Sequence, residues 1–405
     1  MNMRLKEVLS KYFKGDGVVW GVIFALSVFS LLAVYSSTGT LAYKYQEGNT
    51  LYYFFKHFVL LAFGIAIIYV THLVPFKYYS RLSQFFLYLS IFLLAVTLVL
   101  GTSLNQATRW LTLPVIGLTI QTSDFAKLAL IMYLARVLSL RQDKIDEFKD
   151  VVISLVIPVV IVCGLIMPAN LSTALILFFT SFVLMFIGRV KIKYLLSIGL
   201  IGILAVSLVV GGVLISGKKG RVSTWQNRIE HFVSGESEEN YQAEQSKIAI
   251  ASGGIFGKGP GNSTQRNFLP HPYSDFIYAI IIEEYGFIGG VVVLFLYLFL
   301  LYRAGVIVRK TTRTFAAFLS IGLAISLTFQ AMINMGVAAS LFPVTGQTLP
   351  LVSMGGSSIL FTGIAFGIIL SVSRSLEIEK ETAAEKNGEN KTDSQNQTED
   401  ESDDE

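Results

Sequence analysis

The sequence predicts an all-α polytopic membrane protein of about ten transmembrane helices, and three observations carry that prediction. The first is composition. Of 405 residues, 53% are hydrophobic and 15% charged, and the mean hydropathy is +0.60. A soluble domain carries about 25% charged residues, so a water-soluble enzyme is excluded. The second is run length: apolar stretches of about 20 residues, the length a helix needs to cross a bilayer, recur along the chain. The third is an alternation of Lys and Arg between successive loops.

The predicted spans are 18–38, 58–74, 83–102, 123–138, 151–168, 171–188, 194–216, 276–302, 315–335 and 357–373. The first follows a basic segment, 1–17, with Arg4, Lys6, Lys11 and Lys14. Its apolar core is longer than that of a cleaved signal, so it reads as an uncleaved span. With the N-terminus inside, the short inner segments hold 17 Lys and Arg, and the short outer segments hold Lys44, Lys56 and Arg109. Ten spans then put both termini in the cytoplasm. The membrane domain runs from 18 to 373.

Two outer loops stand apart. The large loop 217–274 ends in a glycine-rich stretch, ASGGIFGKGPGNS (251–263), suited to tight turns or to close approach of a ligand. The last outer loop, 336–358, is half apolar and rich in glycine, with Pro343 and Pro350. Such a segment enters a membrane only where protein or water satisfies its backbone. Beyond 373 the chain changes character. From Glu377 to Glu405 twelve acidic residues face three lysines, a balance of −9, so the rest of the chain carries +13 of the net +4. The segment 374–405 is therefore expected to be a disordered cytoplasmic tail. The basic body suits an anionic inner leaflet, and nucleic acid need not be invoked. The single Cys163 and four scattered histidines offer neither a disulfide framework nor zinc-ligand spacing.

Ionisable residues inside a membrane are functional candidates by default. Asp124 and Lys127 share a face in QTSDFAK (121–127); a plain helix start, with Ser123 as N-cap, explains them equally well. In LPHPYSDFIYAIIIEEYG (269–286), Asp275 opens the eighth span, where an N-cap is the ordinary reading, and Glu283 and Glu284 follow about 12–14 Å further on. Arg109, beside Trp110, fits an aromatic belt, yet its guanidinium also suits a pyrophosphate. A gradient-driven transporter would concentrate its charges near the midplane. Here most lie in the outer half, which favours chemistry at the outer surface.

These segments resemble the SEDS family, the peptidoglycan glycosyltransferases of the FtsW and RodA type. The resemblance covers about Val18 to Ser373. It is carried by TRWL (108–111), QTSDFAK (121–127), PANLSTA (168–174), YQAEQSKIAIASGGIFGKGPGNSTQ (241–265), FLPHPYSDFIYAIIIEEYGFIG (268–289) and FPVTGQTLPLVSMGGSS (342–358). Three departures stand out. Thr122 and Asp124 stand where the family has Pro and Glu. Pro168 to Thr173 lacks the acid of the family's Pro-Asp-x-Gly-Thr. Tyr273 and Ser274 precede Asp275 where the family has His-Thr, and the histidine is at 271.

The resemblance implies polymerisation of lipid II, an undecaprenyl-pyrophosphate disaccharide peptide, on the outer face of the bacterial cytoplasmic membrane. It implies Asp275 as general base. Arg109, Lys127, Lys258 and Arg266 are candidates to neutralise the pyrophosphate, Glu283 and Glu284 to orient cations or helices, and Asp124 completes the substrate-binding candidates. No cofactor is required, although a divalent cation (Mg or Mn) fits the chemistry; no metal ligand is assigned. The implied partners are a class B penicillin-binding protein and other divisome or elongasome membrane proteins. The acidic tail and YYFFKHF (52–58) lean toward the division type. An elongation polymerase, a flippase or transporter of the same lipid, and a non-catalytic scaffold for a transpeptidase remain the alternatives.

Overall fold

The computed structural model describes residues 13–104, 107–112, 119–142, 147–200 and 238–400, with a few positions between 202 and 207. The chain runs α1 (Gly17–Ser37), α2 (Gly39–Tyr45), α3 (Thr50–Leu73), α4 (Phe76–Leu100), β1 (Thr102–Leu104), β2 (Ala107–Thr112), β3 (Thr119–Gln121) and α5 (Thr122–Leu140). It continues with α6 (Phe148–Ile166), α7 (Leu171–Ile187), α8 (Glu238–Gly253), α9 (Ile277–Lys310), α10 (Thr314–Ala338) and α11 (Gly356–Asp400). Among the described residues seven helices are long and apolar enough to cross a membrane: α1, α3, α4, α6, α9, α10 and the Gly356–Thr382 part of α11. α7 is apolar over 17 residues. α5 has a polar first turn and is packed on most sides, with Leu130, Leu134 and Leu138 fully buried. The expected seventh span begins as helix at 192, and most of it, like 217–237 of the large loop, lies outside the described residues.

Local chemistry sets several helix ends. The Asp16 carboxylate accepts from Val18 N and Val19 N at 3.0 and 3.1 Å, and Asn49 accepts from Tyr52 N at 3.2 Å. Asn170, in the stretch that lacks the family's acid, caps α7 through Thr173 N at 3.2 Å. A π-helical turn at Val152–Val156 interrupts α6 just before Pro158, whose ring cannot donate to the regular ladder.

α11 lies along α3, α9 against α1 and α10, and α5 between α4 and α10. The α3–α11 crossing is close because glycines of α11 face α3: a methyl on Gly363 would sit 3.0 Å from the Gly64 carbonyl, and one on Gly367 2.8 Å from the Ile68 carbonyl. Small residues at such a spacing are how membrane helices approach without a hydrophobic drive.

Two features lie beyond the expected helical bundle. The outer segment before α5 contains a three-stranded antiparallel sheet, β1-β2-β3, with Trp110 opposite Gln121. Its alternating Thr, Trp and Ile suit a short pleated surface. Helix α11 runs on past 373, the expected end of the last span. The first turns of this extension have partners: Glu381 pairs with Lys14 at 2.7 Å and Glu377 accepts from Gly15 N at 2.6 Å. Asp16 pairs with Arg303 at the same end. The start of α1, the last turns of α9 and the end of the last span therefore meet at one end of the bundle.

Candidate active site

At the opposite end, residues 339–355 fold back into the bundle between α10 and α11. Leu349, Leu351, Val352 and Ser353 are buried there. Irregular backbone at that depth needs partners, and the helices supply them. Gln330 Nε2 donates to Thr348 O at 3.0 Å, Asn334 Nδ2 to Gln347 O at 2.6 Å, the Tyr297 hydroxyl to Pro350 O at 2.6 Å and Ser30 Oγ to Val352 O at 2.9 Å.

This segment also holds the turn that carries Asp275. Met354 N donates to Tyr273 O at 2.9 Å, Ser353 Oγ to Ser274 O at 2.6 Å and Asn334 Nδ2 to Asp275 O at 2.9 Å. Three consecutive carbonyls are thus fixed by the segment and by α10. Asp275 itself is half-buried and is not the cap of α9: Phe276 holds the N-cap position, without a side-chain cap bond. Asp275 thus stands one residue before the N-cap position. Burial, then the Asp275 carboxylate and the phenols of Tyr53 and Tyr45, hold the Tyr273 hydroxyl above its ordinary value. It is a neutral donor at pH 7.

Lys127 and Asp124 form a buried pair at 2.9 Å in the first turns of α5. Lys127 also donates to Gln330 Oε1 at 2.7 Å. Gln330 and Asn334 are one turn apart on α10, so Lys127 and Asp275, distant in sequence, bond to neighbouring turns of one helix. A cavity of about 30 Å³ opens beside the pair, lined also by Ser326, Ser358 and Thr362. Gln121, and not Ser123, is the N-cap residue of α5; Ser123 lies inside the helix and accepts from Gln121 Nε2 at 3.1 Å. Arg109 lies on β2 beside Trp110, and β2 packs against the start of α5.

Lys258, Arg266, Glu283 and Glu284 form a second network. Gly286 has φ +70° and breaks the α9 ladder. The freed groups bond to the glycine-rich stretch: Lys258 N to Glu283 O at 2.9 Å, Gly259 N to Glu284 O at 2.9 Å and Phe287 N to Gly254 O at 2.9 Å. A methyl on Gly257 would lie 2.2 Å from Glu284 O. The glycines expected to approach a ligand thus approach a broken membrane helix. Glu283, fully buried, accepts from Lys258 Nζ at 2.6 Å, Ser263 Oγ at 2.5 Å and Thr264 N at 3.0 Å. Glu284 accepts from Ser36 Oγ, while Arg266 donates to Ser36 O and Gly261 O, both at 3.0 Å. These residues fasten the loop to α1 and α9. Among the described residues no group of three or more His, Cys, Asp and Glu stands together to hold a metal.

The comparisons with known proteins fit this arrangement. The family described as "Cell cycle protein", comprising FtsW, RodA and SpoVE, matches residues 17–378. The chain belongs to this family. Among FtsW/RodA/SpoVE relatives, a "Probable peptidoglycan glycosyltransferase FtsW" of Trichlorobacter lovleyi is 32% identical over 92% of this chain and 97% of its own. "Stage V sporulation protein E" of Bacillus subtilis is 34% identical over 87% and 95%. Thermus thermophilus RodA has a crystal structure similar at TM-score 0.63, with 27% identity over 90% of this chain and 98% of RodA. A chain from a structure on coordination of polymerization and crosslinking by a peptidoglycan synthase complex is similar at TM-score 0.68, with 27% identity over 89% and 98%. For a member of the FtsW/RodA/SpoVE family, the residues that composition and spacing missed are Gln330, Asn334 and Ser353. Gln330 and Asn334 carried a legible signal: two amides four residues apart in an apolar helix share one face.

Proposed function

We propose that this protein is an FtsW-type peptidoglycan glycosyltransferase that polymerises lipid II on the outer face of the bacterial cytoplasmic membrane, with Asp275 as general base. Membership of the FtsW/RodA/SpoVE family and the glycosyltransferase names of the FtsW relatives support the reaction class. The observation that carries the assignment to Asp275 is its turn: three consecutive carbonyls held by Asn334, Ser353 and Met354. A reacting group must be held in place, and this turn is a rigid mount.

The acceptor sugar's 4-hydroxyl attacks the anomeric carbon of the donor, and the donor's bond to pyrophosphate breaks. The attacking hydroxyl is far too weak an acid to ionise alone, so Asp275 takes its proton as the bond forms. The leaving pyrophosphate is stable as an anion and needs cations more than an acid. Lys127, in the polar core, and Arg109, on the strand beside α5, are the cations proposed for it. Lys258 and Arg266 act chiefly by holding the loop, through Glu283 and Ser36. The described residues offer no cage for a divalent cation, and no step here is routed through one.

A class B penicillin-binding protein is the proposed partner, as the similarity to a chain from a synthase complex suggests, with other divisome proteins around it. Both termini are proposed to be cytoplasmic, supported by the loop charges and by the meeting of Lys14 with Glu381 at one end. The test is polymerisation of labelled lipid II by the purified protein, with and without that partner. Strands on gels support the reading; a folded protein that moves lipid II across vesicles and makes no strand with any partner refutes it.

A further inference from the structure

His57, buried on α3, is an ionisable side chain that the reaction above leaves without a role. Histidine inside a membrane bundle is a functional candidate by default. Its Nε2 lies 2.8 Å from Ser30 Oγ on α1, and Ser30 Oγ donates to Val352 O at 2.9 Å. A hydroxyl has one proton to give. With that proton on the Val352 carbonyl, Ser30 can only accept from the ring, so His57 carries its hydrogen on Nε2. Nδ1 is then bare, and among the described residues it is buried without a partner.

The carbonyl at the end of this chain of bonds belongs to a strained stretch. Leu351, the residue before Val352, has φ +65°, in the left-handed region that a residue with a side chain rarely adopts. Such a conformation persists only where its surroundings over-determine it. Here the carbonyls on either side of Leu351 are pinned by two helices: Pro350 O by the Tyr297 hydroxyl of α9, and Val352 O by Ser30 of α1. The next two residues hold the turn of the proposed base, Ser353 Oγ on Ser274 O and Met354 N on Tyr273 O. An unbroken run of hydrogen bonds and peptide links therefore leads from His57 through Ser30, Val352 and Ser353 to the residue before Asp275.

The ordinary explanation is a hydrogen bond that ties α1 to α3. Such a tie needs only the two side chains. This one ends on the main chain of a third element, beside a strained residue and one residue from a contact with the Asp275 turn. A tie made for packing also has no reason to leave a ring nitrogen buried and bare, whereas a rigid donor at Nε2 leaves it so by necessity.

We infer that His57 is a positioning residue for Asp275. It orients the Ser30 hydroxyl onto Val352 O, which keeps Leu351 in its left-handed conformation and so places Ser353 and Met354 against the turn that bears the base. The inference rests on the reaction proposed above. It adds to that reaction a residue that acts through the main chain.

The test uses the full-length protein with its partner transpeptidase and three variants. His57→Leu keeps the bulk and removes the donor, His57→Gln supplies an amide Nε2 in its place, and Ser30→Ala removes the hydroxyl. Two quantities are measured on folded protein at matched concentration: kcat and KM for lipid II polymerisation, and deuterium uptake of the peptide containing Met354. The inference predicts kcat roughly tenfold lower in His57→Leu and Ser30→Ala with KM little changed, faster uptake at Met354, and recovery of both toward wild type in His57→Gln. A tie between helices would lower the unfolding temperature and leave kcat of the folded fraction alone. Wild-type kcat or wild-type Met354 uptake in folded His57→Leu would therefore overturn the inference, as would a loss that His57→Gln does not recover. Ser30→Ala leaves two buried groups without partners, and if it yields no folded protein the two His57 variants decide alone. Faster Met354 uptake in His57→Leu, recovered in His57→Gln, from a protein that forms no strands would keep the positioning of the turn and refute the reaction.

Discussion

The Asn334 side-chain amide donates to the backbone carbonyl of Asp275 at 2.9 Å and to that of Gln347 at 2.6 Å. One buried side chain thus joins the turn bearing the proposed base to the segment that folds back between α10 and α11. Asn334→Ala removes both bonds and leaves two carbonyls short of partners, a cost of about 1–3 kcal/mol each. The base then loses its mount. We expect kcat for lipid II polymerisation to fall roughly tenfold to a hundredfold, as a misplacement of about 1 Å can produce, with KM little changed. Thermal unfolding in detergent and steady-state kinetics check the two halves separately. Loss of stability with unchanged kcat in the folded fraction would detach Asn334 from the reaction.

Gly286 is the structural weak point of α9. It combines φ +70° with a Cβ position 2.1 Å from the Ile255 carbonyl oxygen. Backbone cannot give way as a flexible side chain does, so Gly286→Ala is expected to cost about 3 kcal/mol or more. It should release the 254–259 stretch from the helix break. Gly305→Ala, where an added methyl meets nothing within 4 Å, is the control and should be neutral or slightly stabilising. Equal unfolding temperatures for the two variants would contradict the backbone clamp.

Lys127 has two roles that a pair of variants separates. Lys127→Met leaves the Asp124 carboxylate buried without its cation, at about 3–5 kcal/mol, and frees Gln330 Oε1. Adding Asp124→Asn removes the orphaned charge and is expected to recover most of that stability. If Lys127 meets the donor's pyrophosphate, the double variant is folded and still weakly active, with the deficit in donor KM and kcat. Full activity in the recovered double variant would reduce the pair to a structural one.

The sequence made the membrane fold legible because bilayer crossing imposes one simple rule, a run of apolar residues of fixed length. Residues 18–38 and 315–335 correspond to helices within a few positions, and 276–302 matches the start of α9, which runs on to Lys310. The sheet at 102–121 was not legible: three short strands built from Thr, Trp and Ile leave no periodicity that survives between two long helices. The candidate acids were visible as charges in apolar surroundings. Their partners were not, because Asp275 is held through backbone carbonyls, which no side-chain pattern reports. The glycines of 251–261 announced a close approach and left its object open. Only the φ of Gly286, read with the crossing at Gly257, identifies that object as α9.

The central claim is that the Asp275 carboxylate takes the acceptor proton. Asp275→Asn keeps the size of the side chain and every backbone bond of its turn but cannot accept that proton. Asn caps a helix as well as Asp, so a purely capping role predicts a nearly normal variant. The deciding measurement is the rate of strand formation from lipid II at matched concentrations of folded wild type and variant, each with the partner transpeptidase present. The account predicts a loss of roughly 10²–10⁴-fold, the worth of a positioned base, with lipid II binding intact. A rate within a few-fold of wild type would contradict it.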